Sequence, residues 1–136
     1  MQRTYVGVWI DHATARVVEL GNGSPKFTTL ASKVEARRRF RAHIDVPRPS
    51  HIGGSTEHRD RNRREEQLNH FYDHVLESLL HADAILVIGP GEAKRELLGR
   101  MERKGSLRAH VLQTETASRM TDGQFLARLR QFAATN

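Results

Sequence analysis

Two short runs, Tyr5-Val6-Gly7-Val8-Trp9-Ile10 and Ala84-Ile85-Leu86-Val87-Ile88, carry almost no polar side chain. A strand with one wet face alternates polar and apolar residues. A run that does not alternate needs cover on both faces, as inside a sheet sandwiched by helices. These two runs therefore predict buried central strands, and the rest of the chain must supply their cover. After an Asp11-His12-Ala13-Thr14 turn, Ala15 to Leu20 predicts a second strand, which pairs with the first as a hairpin and ends at Gly21-Asn22-Gly23-Ser24-Pro25. Lys26 to Leu30 begins a third strand, whose continuation through Val34 and Phe40 to Ile44 is obscured by arginines.

Leu68, Phe71, Tyr72, Val75, Leu76, Leu79 and Leu80 recur at helical spacing and predict a helix from about Arg63 to His81. Gly89-Pro90-Gly91 turns the second apolar run into a helix from about Glu92 to Arg103, with Ala93, Leu97, Leu98 and Met101 inward. Lys104-Gly105-Ser106 ends it, Ala109 to Gln113 predicts another strand, and Thr121-Asp122-Gly123 starts a last helix with Phe125, Leu126, Leu129 and Phe132 inward. The order β-β-β-α-β-α-β-α implies a mixed sheet whose later strands pair in parallel through right-handed crossovers. The expected fold is α/β, a single three-layer ribonuclease-H-like domain over residues 1–136, with Trp9 and Phe27 in its core. No repeat or linker divides it.

Cysteine is absent from the 136 residues. That excludes a disulfide framework, a thiol nucleophile, an iron–sulfur cluster and thiolate zinc. A chain of this length buries about two-thirds of its unfolded surface and needs no staple. The start has the pattern of no secretory signal, and no window approaches the roughly 20 apolar residues of a membrane helix. A cytoplasmic protein is expected.

The formal charge is +6, and it is not spread. Lys33 to Arg64 holds ten bases and four acids, while the remainder balances twelve against twelve. Nine of the ten bases are Arg: Arg37, Arg38, Arg39, Arg41, Arg48, Arg59, Arg61, Arg63 and Arg64. Guanidinium is a planar, weakly hydrated fork that grips phosphate bidentately and stacks on bases. Its concentration in one segment predicts a polyanion-binding surface, RNA first among the candidates. From Asp45 to Asn62 the chain is rich in Pro, Gly, His and charge, with Val46 and Ile52 as its only larger aliphatics. A basic mobile loop at about 45–62 is expected, because little burial offsets its ordering. Gly53-Gly54, followed by Ser55, would leave backbone N–H groups open to a ligand there. A ligand could therefore approach Gly53, Gly54 and Ser55 closely.

An arginine-rich segment with Gly-Gly, then Arg63-Arg64-Glu65-Glu66-Gln67 opening a helix with Phe71-Tyr72, then Ala84 to Lys94 with its Gly-Pro-Gly-x-x-Lys turn, form one ordered pattern. The pattern resembles the middle domain of the eukaryotic and archaeal class-1 release factors and Pelota, of which bacteria carry divergent relatives. The resemblance implies a ribonuclease-H-like domain that reaches into the large ribosomal subunit beside the peptidyl-tRNA acceptor end, in termination, rescue or hibernation. Two departures matter. The family's hydrolytic Gly-Gly-Gln tripeptide would place its Gln where Ser55 stands, which makes Pelota, lacking the tripeptide, the closer analogue. The flanking decoding and partner domains of those proteins have no counterpart in this chain.

Three function classes follow. The first is a translation-associated protein, not or only weakly catalytic, that docks on ribosomal RNA, tRNA or the ribosome through the arginines. The second is a peptidyl-tRNA hydrolase using the Gly53-Gly54 backbone, and the third is an interaction module for an acidic protein. No cofactor and no membrane partner is expected. Weaker patterns complete the reading. Glu66, His70 and His74, at i, i+4 and i+8 on one helix face, are the metal candidates, though the spacing also suits a wet surface. Asp11 with Glu65, Glu66 or Glu92 would be a nuclease set, but a turn Asp ordinarily caps its own backbone. In Gly89-Pro90-Gly91-Glu92-Ala93-Lys94 the glycines are expected to allow close packing and Lys94 to stay solvated, since Walker spacing is absent.

Overall fold

The computed structural model describes residues 3–21, 23–32, 50–105 and 111–136. Among them the elements are β1 (Tyr5–Ile10), β2 (Thr14–Leu20), β3 (Lys26–Ala31), α1 (Ser50–Glu77), β4 (Ala84–Gly89), α2 (Ala93–Lys104), β5 (Val111–Thr116) and α3 (Asp122–Thr135). The strands form one sheet in the order β3-β2-β1-β4-β5. β1 and β2 pair antiparallel, as do β2 and β3, whereas β1–β4 and β4–β5 are parallel. The fold is thus α/β with a mixed sheet.

The two apolar runs are its centre, and their period-2 geometry sends side chains to both faces. Val6, Val8 and Ile10 of β1 with Ile85 and Val87 of β4 pack under α1 and α2, against Phe71, Tyr72, Val75, Leu79 and Leu97. Trp9, Leu86 and Ile88 point the other way, to Phe125, Leu129 and Phe132 of α3. This is the expected three-layer arrangement. Gly7 lets α3 approach, since a Cβ there would lie 3.1 Å from the Phe125 ring. Gly89 has φ +152° and its missing Cβ would collide with the Ile10 carbonyl of β1.

Local chemistry sets the ends. Asp11 Oδ1 accepts from Ala13 N at 2.8 Å and Thr14 N at 2.7 Å, which makes the β1–β2 turn. α3 opens on a capping box: Thr121 Oγ1 accepts from Gln124 N, and Gln124 Oε1 from Thr121 N. α2 ends at Gly105, left-handed with φ 62°, whose N–H reaches the Met101 carbonyl.

Several expectations are corrected. The loop expected at about 45–62 is helical from Ser50 onward, and 45–49 lie outside the described residues. Once the Leu68–Leu79 stripe nucleates a helix, each further residue adds a bond at little cost. Acids four residues ahead of bases at 57/61 and 60/64 also favour propagation. Lys94 is buried, with 8% of its surface exposed, and its Nζ donates to the Gly91 carbonyl at 2.8 Å instead of staying solvated. Phe27 is 46% exposed, because β3 is an outer strand and α3 packs over β1 and β4. The last strand, expected over 109–113, runs over Val111–Thr116 and so continues past Gln113, while 109 and 110 lie outside the described residues. The continuation of β3 through Val34 to Ile44 lies outside the described residues.

Candidate nucleic-acid interface

α1 is 28 residues long, about 42 Å at 1.5 Å per residue. Its two halves differ. From Phe71 onward the helix presents a buried stripe to the sheet, with Phe71, Tyr72, Val75 and Leu76 each at most 5% exposed, and Leu79 just past its end is buried as well. Between Arg61 and Glu66 no residue is buried: Arg61, Asn62, Arg63, Glu65 and Glu66 are exposed and Arg64 is half-buried. Arg59 belongs to the same helical stretch. Arg37, Arg38, Arg39, Arg41 and Arg48 lie outside the described residues. Gly53, Gly54 and Ser55 fall near the start of α1.

The packed half of α1 is fastened to α2. Arg100 donates from Nε to Asp73 Oδ1 at 2.7 Å and from an Nη to Oδ2 at 2.9 Å, with Lys104 Nζ 3.7 Å from the same carboxylate. The Arg100 hydrogen bond is the main cause that holds the Asp73 carboxyl below its ordinary value. One turn earlier Tyr72 donates its O–H to Glu96 Oε1 at 2.5 Å, and His12 Nε2 lies 3.2 Å from the same oxygen. Burial first, and the Glu96 contact second, push the Tyr72 phenol far above its ordinary value. Ser32 Oγ donates to the His12 carbonyl at 2.5 Å. The end of β1, the end of β3, α1 and α2 thus meet around one carboxylate.

Beside this junction lies a cleft of about 370 Å³ between the two helices, lined by Glu65, Leu68, Asn69 and Tyr72 of α1 and Glu96, Gly99, Arg100 and Arg103 of α2. Gly99 stands inside α2, and a Cβ added to it would meet nothing within 4 Å. A second groove, of about 460 Å³, runs between β3 and α1 and is lined by Ala31, Ser32, Gln67, His70, Phe71 and His74. It brings His70 and His74 together but not Glu66, and no group of three metal-ligating side chains assembles among the described residues. The nuclease set does not gather either: Asp11 is spent on its turn, and Glu92 pairs with Arg95 at 3.8 Å.

The His12–Glu96–Tyr72 junction escapes sequence reading, because its members are 24 and 84 residues apart. One signal was present. A tyrosine inside an apolar helical stripe needs a partner for its O–H when buried.

No protein-family model matches the chain, and neither does any curated protein sequence. Solved structures do. Pelota from Thermoplasma acidophilum matches with a TM-score of 0.55 at 14% identity, over 96% of this chain and 32% of Pelota. Pelota from Archaeoglobus fulgidus gives 0.55, 14%, 96% and 32% in the same terms. The archaeal translation termination factor aRF1 gives 0.56 at 12% identity, over 94% of this chain and 34% of aRF1. The chain therefore spans about a third of the length of the proteins it matches. At the level of fold, the resemblance to the release-factor and Pelota family read from the sequence is met in three dimensions, with most of this chain superposing on one part of those longer proteins.

Proposed function

We propose that the chain is a translation-associated RNA-binding module that acts in the cytoplasm and docks on ribosomal RNA or tRNA through its arginines, in rescue or hibernation of the ribosome. The observation that carries this reading is the place of the charge. Four of the nine arginines, Arg59, Arg61, Arg63 and Arg64, fall on α1 ahead of its buried stripe, with Arg61 and Arg63 exposed, on a fold shared with Pelota and a translation termination factor. A helix that carries guanidinium groups presents phosphate contacts at fixed spacing. No helix among the described residues is long and apolar enough to cross a membrane. Binding is the activity proposed.

Co-sedimentation with ribosomes tests it. Wild type should pellet with ribosomes at low salt and be released at moderate salt, while a chain with Arg59, Arg61, Arg63 and Arg64 changed to Gln should stay in the supernatant throughout. Four phosphate contacts predict an affinity loss of roughly 50- to 150-fold between 50 and 200 mM salt. Binding that ignores both salt and these substitutions would sink the proposal, and capture of an acidic protein that survives nuclease would replace it.

A further inference from the structure

We propose that the cleft between α1 and α2 receives the base of one unpaired guanine nucleotide of the bound RNA. The inference rests on the RNA reading above. Its ground is the make-up of the cleft, which mixes both signs of charge along two helix walls. Glu65 and Glu96 are carboxylates, Arg100 and Arg103 are guanidinium groups, and Asn69 adds an amide with donors and an acceptor. A phosphate would meet the carboxylates and a cationic side chain would meet the arginines. A neutral, planar group with donors on one edge and acceptors on another suits such walls.

The cleft also offers a surface for the plane of such a group. Leu68 is partly buried and apolar, and Gly99 has no side chain where its helix faces the cleft. Glycine inside a helix weakens it relative to alanine, and an added Cβ at Gly99 would touch nothing within 4 Å. Packing among the described residues therefore does not call for glycine at this position, whereas a ring lying against the helix backbone does. The volume, about 370 Å³, falls in the range of small-ligand sites.

Guanine is the base whose edges fit best. Its N1–H and N2–H are adjacent donors for one carboxylate, and its O6 and N7 are acceptors for an amide or guanidinium. Glu96 Oε1 already accepts from Tyr72 and neighbours His12, which holds that side chain in place and leaves Oε2 and the Glu65 carboxylate as acceptors. Uracil offers a single donor, N3–H, between two carbonyl oxygens, so it cannot pair both oxygens of a carboxylate and sets a carbonyl against the second. Access follows from the helix itself. Arg64 and Arg61 precede Leu68 by four and seven residues, on the same stripe of α1. Phosphates gripped there place the next nucleotide at the mouth of the cleft.

The test titrates the isotopically labelled full chain with GMP and with UMP and follows the Gly99 backbone amide and the Asn69 side-chain amide by NMR. GMP should shift both in a saturable way, with at least tenfold weaker binding of UMP. Asn69→Ala should weaken GMP by roughly fivefold or more, the low end for removal of a single base-edge pairing, and Gly99→Leu should abolish the shifts in a chain whose circular dichroism is unchanged. Asn69→Ala keeps the test decisive if Gly99→Leu does not fold. Equal response to UMP, or GMP shifts confined to residues 61–64, would overturn the proposal. A uridine-only oligonucleotide, measured in parallel by anisotropy, separates the two levels. Salt-dependent binding of that oligomer with no GMP response at Gly99 overturns the guanine site and leaves the RNA reading standing. A GMP response with no oligonucleotide binding of any sequence overturns the RNA reading and keeps the cleft as a guanine site.

Discussion

The same substitution made at two glycines should move stability in opposite directions. At Gly89, φ is +152° and an added Cβ collides with the backbone carbonyl of Ile10. That carbonyl belongs to the strand paired in parallel with β4, and it has no side chain to rotate away. Gly89→Ala should then cost about 1–3 kcal/mol for the backbone region and a further 1–3 kcal/mol for overpacking, about 4 kcal/mol together. Gly99 lies inside α2 with open space around it, so Gly99→Ala should gain about 0.5–1 kcal/mol of helix propensity. For 136 residues the unfolding entropy near 60 °C is about 0.29 kcal/mol/K, so each kcal/mol moves Tm by about 3.5 °C. Differential scanning calorimetry should find Gly89→Ala lower by about 14 °C and Gly99→Ala higher by about 2–3 °C. A Gly89→Ala protein within about 4 °C of wild type would refute the β1–β4 approach on which the central sheet depends.

Other outcomes follow from individual side chains. Phe125→Ala empties the fully buried ring that packs against Gly7 and should cost about 3–5 kcal/mol, read as a lower urea midpoint with unchanged slope. The Tyr72 phenol is favoured protonated in the folded state, above its ordinary 10.0. Its contribution is complete below pH 10 and fades as pH climbs past it. Tyr72→Phe should flatten that alkaline fall while costing about 1 kcal/mol at neutral pH, and an unchanged alkaline limb would count against the Glu96 contact. Asp73 is held below its ordinary value of 3.8, first by the Arg100 hydrogen bond. Its contribution is present above pH 3.8 and fades as pH falls below it. Asp73→Asn should lower stability by about 1 kcal/mol at neutral pH, with the gap to wild type closing in acid melts.

How much of this was legible depended on how local the cause is. β1 and β4 were readable because a run apolar on both faces has one reasonable home, and the start of α3 because Thr121 and Gln124 make a reciprocal cap within four residues. The N-terminal half of α1 was not, since its Gly-Gly, histidines and charges carry no apolar period and its helicity is propagated from the stripe at Leu68 to Leu79. Lys94 looked like a solvated base because nothing nearby in sequence shows that the Gly91 carbonyl turns back to meet its Nζ. Phe27 looked like core because alternation cannot tell an outer strand from an inner one. The extension of β5 past Gln113 was not readable because Thr114 to Thr116 is polar, and only its pairing with Val87 to Gly89 makes it strand. The α1–α2 cleft and the carboxylate shared by His12 and Tyr72 are tertiary products that no spacing announces.

The central claim is that α1 binds RNA by gripping its phosphates, and the salt dependence of that binding tests it most directly. We would measure Kd for a single-stranded RNA between 50 and 200 mM salt, for wild type and for the chain with Arg61, Arg63 and Arg64 changed to Gln. Every phosphate that a guanidinium no longer neutralises should reduce the slope of log K against log salt by about 0.7, so the variant slope should be shallower by about 2. Equal slopes for the two proteins, or a wild-type affinity that salt does not change, would contradict the account.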